Sequence, residues 1–238
     1  LDLIKKKNAH DLHLFLSHTH WDHIQGLPFF MPAYSKDVSI KIYGSPNKEQ
    51  FLESILSRQM DVNYFPVDMN ALSAKISIKE IHDQKIKINN MTVEWDEQVC
   101  HPGGSVRYRI TSDNSSIIYA TDVELNKMNI NQKDQDAAQK ELEDKYRQFI
   151  KGADLLIGDG QYTDQEYNSR RGWGHSSVEL LTEIAYEEEV KQLAVFHHDP
   201  LHSDSMLDKL WSIYSPKFNA KEPPMNIFWA REGMTIAV

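Results

Sequence analysis

The chain has a single cysteine, Cys100, which excludes an intrachain disulfide framework and fits a reducing compartment. It has no run of about 18 apolar residues, so no membrane-spanning helix and no membrane partner is expected. Its start, Leu1-Asp2-Leu3-Ile4-Lys5-Lys6-Lys7, is charged early and lacks the apolar stretch of a signal peptide, so the cytoplasm is the expected location. Positive charge is in deficit: 26 Lys and Arg stand against 35 Asp and Glu, a formal net charge of −9. That balance disfavours nucleic-acid binding driven by general electrostatics. It does not exclude a small phosphate ester held directly by metal ions. No internal repeat or low-complexity tract stands out. What is present is 238 residues, 40% hydrophobic, which suits a single α/β domain over 1–238.

Short apolar strands alternate with amphipathic helices, which predicts α/β layering. Leu12 to Ser17 reads as a buried strand, and Val38 to Tyr43 alternates with the period of a half-exposed one. Ser45 as N-cap and Pro46 at the first helical position predict a helix with Phe51, Leu52, Ile55 and Leu56 on its apolar face. Further strands are expected at 75–81, 91–99, 106–111, 116–121, 154–158, 192–196, 226–229 and 234–238. Helices are expected at 176–188 and 205–214, and the polar stretch 126–151 reads as a solvated helix with a narrow apolar stripe.

The chemistry concentrates in His18-Thr19-His20-Trp21-Asp22-His23, directly after the first strand. Three imidazoles and a carboxylate on one loop suit zinc, iron or manganese, since imidazole and carboxylate oxygen both ligate such ions. The same syntax recurs. His101 follows the strand ending at Val99, Asp122 closes the apolar run before it, and His197 with His198 closes Leu193-Ala194-Val195-Phe196. If these strand ends converge, seven ligands meet at one sheet edge, enough for two ions.

These elements, in this order, resemble the metallo-β-lactamase-fold hydrolases, whose hallmark is the His-x-His-x-Asp-His loop found at 18–23. The resemblance covers residues 12–238 and implies a four-layer αββα sandwich. It also implies two divalent metal ions, zinc first, with Mn2+ or Fe as alternatives. His18, His20 and His101 would bind one ion, and Asp22, His23 and His197 the other, with Asp122 bridging; His198 is the alternative to His197. The family's domain begins with several strands before this loop, whereas 17 residues precede His18, so a domain lacking its first strands is expected.

Gly172-Trp173-Gly174-His175-Ser176-Ser177-Val178-Glu179 points to a branch. Ser176 and Glu179 have capping-box spacing, which would put His175 at a helix N-terminus suited to a phosphate oxygen. The segment resembles the Gly-His-Ser-Thr element of ribonuclease-Z-like phosphodiesterases. By that resemblance His175 would contact phosphate and protonate the leaving oxygen, and Asp22 would orient or accept the proton of the nucleophile. Asp159, after Leu155-Leu156-Ile157-Gly158, is either a support for this site or a turn residue. The implied activity is hydrolysis of a small phosphodiester such as a cyclic nucleotide. The alternatives are another ester or thioester bond, or a redox or non-catalytic metal module. Only 20 residues separate His101 from Asp122, which leaves no room for a long tRNA-gripping arm. With the acidic charge, this sets the expectation against tRNA. A homodimer could form through the 126–151 helix or Trp211-Ser212-Ile213-Tyr214.

Overall fold

A computed structural model describes residues 9–45, 51–81, 85–128, 130, 133–220, 222 and 224–238. The chain gathers into two compact units, Leu1–Gln84 and Lys85–Val238.

The first unit is built on a parallel sheet of β1 (Asp11–Phe15), β2 (Ser39–Gly44) and β3 (Lys75–Glu80), in the order β1-β2-β3. The alternation read in β2 is realised: Ile40 and Ile42 are fully buried, while Lys41 between them reaches Asp11 at 3.2 Å. The His-rich loop after β1 contains a one-turn helix, α1 (Trp21–Ile24). A longer helix, α2 (Leu52–Arg58), lies between β2 and β3, and its Leu52 and Leu56, one turn apart, are fully buried. Phe51 departs from expectation. It is the N-cap and 73% exposed, because the packed face begins one residue later. Ser45 precedes this helix in non-helical backbone, and Pro46 lies outside the described residues.

The second unit is a seven-stranded sheet in the order β10-β9-β8-β7-β6-β5-β4. β4 (Lys85–Ile88), β5 (Met91–Gln98), β6 (Ser105–Ser112) and β7 (Ser115–Ala120) form an antiparallel meander. β8 (Leu155–Asp159), β9 (Gln192–Phe196) and β10 (Asn226–Trp229) continue it in parallel. Parallel neighbours need long crossovers. These are α3 (Ala137–Ile150) before β8, α4 (Asp164–Tyr167) and α5 (Val178–Glu187) before β9, and α6 (Asp204–Asn219) before β10. Because β5 and β7 both run antiparallel to β6, they run parallel to each other. The C-terminal ends of β5, β7, β8 and β9 therefore share one edge of this sheet.

α3 is less solvated than its composition predicts. Asp136 and Gln139 form a reciprocal capping box at 2.8 and 3.0 Å, and Tyr146 and Ile150 are fully buried in the core. Residues 234–238 form no strand; Met234 and Val238 stay 46% and 43% exposed, so the apolar alternation there has no sheet to bury against. Trp211 and Tyr214 also serve the interior: Trp211 packs on Trp229 with ring centroids 5.5 Å apart, and the Tyr214 hydroxyl donates to Glu179. Among the described residues, no helix is long and apolar enough to cross a membrane.

Candidate metal centre

In the second unit, the shared strand edge assembles His101, Asp122, Asp159, His175 and His197. His101, Asp122 and His175 each offer a ligand atom within 4.8 Å of the others, as do Asp159, His175 and His197. His197 Nε2 lies 3.3 Å from Asp122 Oδ1. Two ligands of one tetrahedral zinc ion, each at about 2.0–2.1 Å, stand about 3.3 Å apart, so this spacing is what an ion would require. Asp122 and His197 both adopt φ of +60°, left-handed backbone that bulky residues rarely take. Strain of this kind at two candidate ligand positions points to function, because surrounding structure has to hold it in place.

The imidazoles are oriented by groups behind them. His101 Nδ1 donates to the Gly174 carbonyl at 3.0 Å, which leaves Nε2 as the ligand atom. Gly174 has φ of +93°, and a Cβ there would sit 2.4 Å from His101 Nδ1, so glycine is required for this approach. His175 Nδ1 donates to Asp159 Oδ2 at 2.9 Å. Asp159 is fully buried and also accepts from the backbone N–H groups of Asp122, Val123, Gln161 and Ser176, at 2.9 to 3.3 Å. Of the two readings left open for Asp159, the geometry selects support of the site.

Glu124 went unread in the sequence. Its carboxylate, 1% exposed, accepts from the Tyr167 hydroxyl at 2.7 Å and from the N–H groups of Gly172 and Gly174 at 2.7 and 3.1 Å. It thereby fixes the loop that carries both the Gly174 carbonyl and His175. The available signal was a lone acid between Val123 and Leu125, two residues past a ligand.

The helix expected after His175 forms at Val178–Glu187, but with a different cap. Ser176 does not cap it: its hydroxyl donates to the Val123 carbonyl and accepts from Leu125 N at 3.0 Å. The N-cap is Ser177, and Glu179 accepts from Asp164 N at 3.0 Å. The N–H groups of Ser176, Ser177 and Val178 are taken by Asp159, Asn126 and the Tyr162 carbonyl. A phosphate oxygen would therefore meet the His175 imidazole, not a helix N-terminus.

In the first unit, the loop after β1 places His18, His20 and His23 ring to ring, with centroids 4.4 Å apart for His18–His20 and 4.3 Å for His18–His23. His18 is buried and its Nδ1 lies 3.2 Å from Ser17 Oγ, which leaves Nε2 as the candidate ligand atom. Asp22 Oδ2 stands 3.2 Å from His23 Nε2, again the spacing of two ligands on one ion. Both donor sets fit divalent transition metals in chemistry and in spacing.

Other candidates are engaged elsewhere. His198 turns to the Ala230 carbonyl at 3.1 Å, and burial lowers its pKa. His202 Nε2 is 2.9 Å from Glu166, and His10 Nδ1 contacts the Asp37 carbonyl at 3.0 Å. His13 stacks on Tyr43, while His82 lies outside the described residues. Arg107 pairs with Asp96 under Tyr146 and Phe149, and Arg109 donates to the Phe149 carbonyl at 2.8 Å. The Cys100 thiol is buried and its pKa raised by that burial.

Comparison with known proteins follows the same lines. The beta-lactamase superfamily domain family matches residues 5–198. Ribonuclease Z from Sulfurisphaera tokodaii is 25% identical over 252 aligned positions, covering 91% of this chain and 80% of the relative. Among solved structures, unliganded yeast PDE1 superposes with a TM-score of 0.64 at 16% identity, over 93% of this chain and 67% of its own. The short form of human tRNase Z gives 0.62 at 17% identity, over 94% and 78%. With the family match spanning most of its length, the chain belongs to the beta-lactamase superfamily domain family, as a ribonuclease Z-like hydrolase of the metallo-β-lactamase fold.

Proposed function

We propose that the protein is a dinuclear metal-dependent phosphodiesterase in which His175 is the general acid. The observation that carries this is the His175–Asp159 pair: a buried carboxylate holds Nδ1 at 2.9 Å, which fixes the ring beside Asp122 and His197. By the assignment that the resemblance implies, His18, His20 and His101 would hold one ion and Asp22, His23 and His197 the other, with Asp122 shared. Two divalent ions, zinc in the first instance, would supply charge neutralisation at the phosphoryl oxygens and a water made nucleophilic at neutral pH.

The chain's own residues do the rest. The imidazole of His101 is held in one tautomer by Gly174, and that of His175 by Asp159. Asp22 orients the attacking water or takes its proton. His175 Nε2 hands a proton to the departing oxygen, a role worth about 10²–10⁴-fold in rate. Asp159, accepting from five N–H groups, stabilises the imidazolium before transfer.

The substrate proposed is a small phosphodiester such as a cyclic nucleotide. The earlier expectation against tRNA is withdrawn: it rested on net charge and a short loop, while several relatives carry the name ribonuclease Z. The test is turnover of bis(p-nitrophenyl) phosphate and cyclic AMP by protein of known metal content, before and after chelation. Turnover that disappears with the metal and returns on readdition supports the reading. Two bound ions with no turnover of either compound would remove phosphodiesters as the substrate class.

A further inference from the structure

The first unit contains a cavity of about 180 Å³ beside its His-rich loop. Its walls are Leu14 and Leu16 from β1, Leu56 from α2, and Ile24, Leu27 and Phe30 from the loop. His23 is the sole polar side chain in this lining. An apolar cavity of about 150 Å³ in an unrelated protein takes up benzene. The volume here admits a six-membered ring.

The cavity has a mouth at Gly26, which is exposed and part of the lining. Nothing in the backbone demands glycine there: φ is −78° and ψ −16°, an ordinary helical conformation open to any residue. Packing does not demand it either, since a Cβ would meet no heavy atom within 4 Å.

We propose that this cavity is a binding subsite for an uncharged aromatic ring, the apolar substituent of a phosphate ester or phosphonate whose anionic end lies at the His23 wall. A nucleobase fits it poorly, because its ring nitrogens and exocyclic groups would lose water with one imidazole to replace it. An aryl ring loses nothing and gains the burial of its whole apolar surface. The link to phosphate rests on the phosphodiesterase reading; the link to an apolar ring does not.

The test is calorimetric titration of the full, metal-loaded chain with toluene, phenylphosphonate and methylphosphonate, in wild type, Leu56→Phe and Gly26→Leu. Leu56→Phe fills the cavity from within. Gly26→Leu, whose Cβ meets no heavy atom within 4 Å, adds an apolar side chain at an exposed position of the lining. The expected result is toluene binding to wild type that weakens at least about tenfold in both variants, with phenylphosphonate about tenfold tighter than methylphosphonate in wild type alone. Absent toluene binding, or binding and a phenyl preference that survive both substitutions, would overturn the subsite. Ring binding that behaves as expected in a protein that turns over no phosphodiester supports the subsite and overturns the phosphodiesterase reading instead.

Discussion

Replacing Asp159 with asparagine tests the site where geometry is densest. The carboxylate receives Asp122 N, Val123 N and His175 Nδ1 on Oδ2, and Gln161 N and Ser176 N on Oδ1. An asparagine keeps one acceptor oxygen. Its best orientation turns that oxygen to His175 and sets its NH₂ against the other two N–H groups, both buried. Each unsatisfied donor costs about 1–3 kcal/mol, so the loss is about 2–6 kcal/mol, or a fall in the urea midpoint of roughly 1 M or more. The same change removes the charge that stabilises the His175 imidazolium, and kcat/KM for cyclic AMP falls by about 10²–10⁴. His175→Gln is the companion. It leaves the carboxylate its four backbone donors, so it loses comparable activity with little loss of stability. Both are read by urea unfolding and steady-state kinetics at equal metal content. If Asp159→Asn keeps its midpoint and stays within about twofold of wild-type kcat/KM, Asp159 neither holds the site together nor serves His175, and the reasoning fails.

Other outcomes follow from particular contacts. Gly174→Ala drives a Cβ to 2.4 Å from His101 Nδ1, so the variant should bind fewer metal equivalents on elemental analysis, while unchanged content would mean His101 is not held through Gly174. His197→Ala should shed about one ion per chain, whereas His198→Phe, which loses a bond to the Ala230 carbonyl but keeps its ring against Trp229, should retain both. Glu143 supplies a pH prediction. Burial pushes its carboxyl up, but hydrogen bonds from Gln135, Arg147 and Lys140 outweigh that and hold it below the ordinary glutamate value. A depressed folded pKa contributes stability above the unfolded value and loses it as pH falls through the folded one. Glu143→Gln should therefore be less stable than wild type at neutral pH, with the gap closing as pH falls below the ordinary glutamate range in urea titrations; a constant gap would argue against the charge.

The candidate ligand positions were legible because each closes an apolar run. In a strand-rich α/β chain such a residue must emerge at a sheet end, and antiparallel pairing of β5 and β7 with β6 puts those ends on one edge. Tertiary contacts decided what local pattern could not. Ser176 has the spacing of a capping box, yet its hydroxyl is recruited by Val123 and Leu125 and the cap moves to Ser177. Lys85-Ile86-Lys87-Ile88 is too short to stand out, and becomes a strand because β5 offers it an edge. Glu124 acts through partners 43 to 50 residues distant, and Asp159 ties His175, 16 residues on, to Asp122, 37 residues back, which no short window along the chain reveals.

The most direct test of general-acid phosphodiester hydrolysis is leaving-group dependence in His175→Ala at full metal content. A nitrophenolate departs without help, while the ribose oxygen of cyclic AMP needs a proton. The account predicts a loss of about 10²–10⁴-fold on cyclic AMP and a far smaller one on bis(p-nitrophenyl) phosphate. Equal losses on the two substrates would contradict it, and would leave His175 as a binding residue alone.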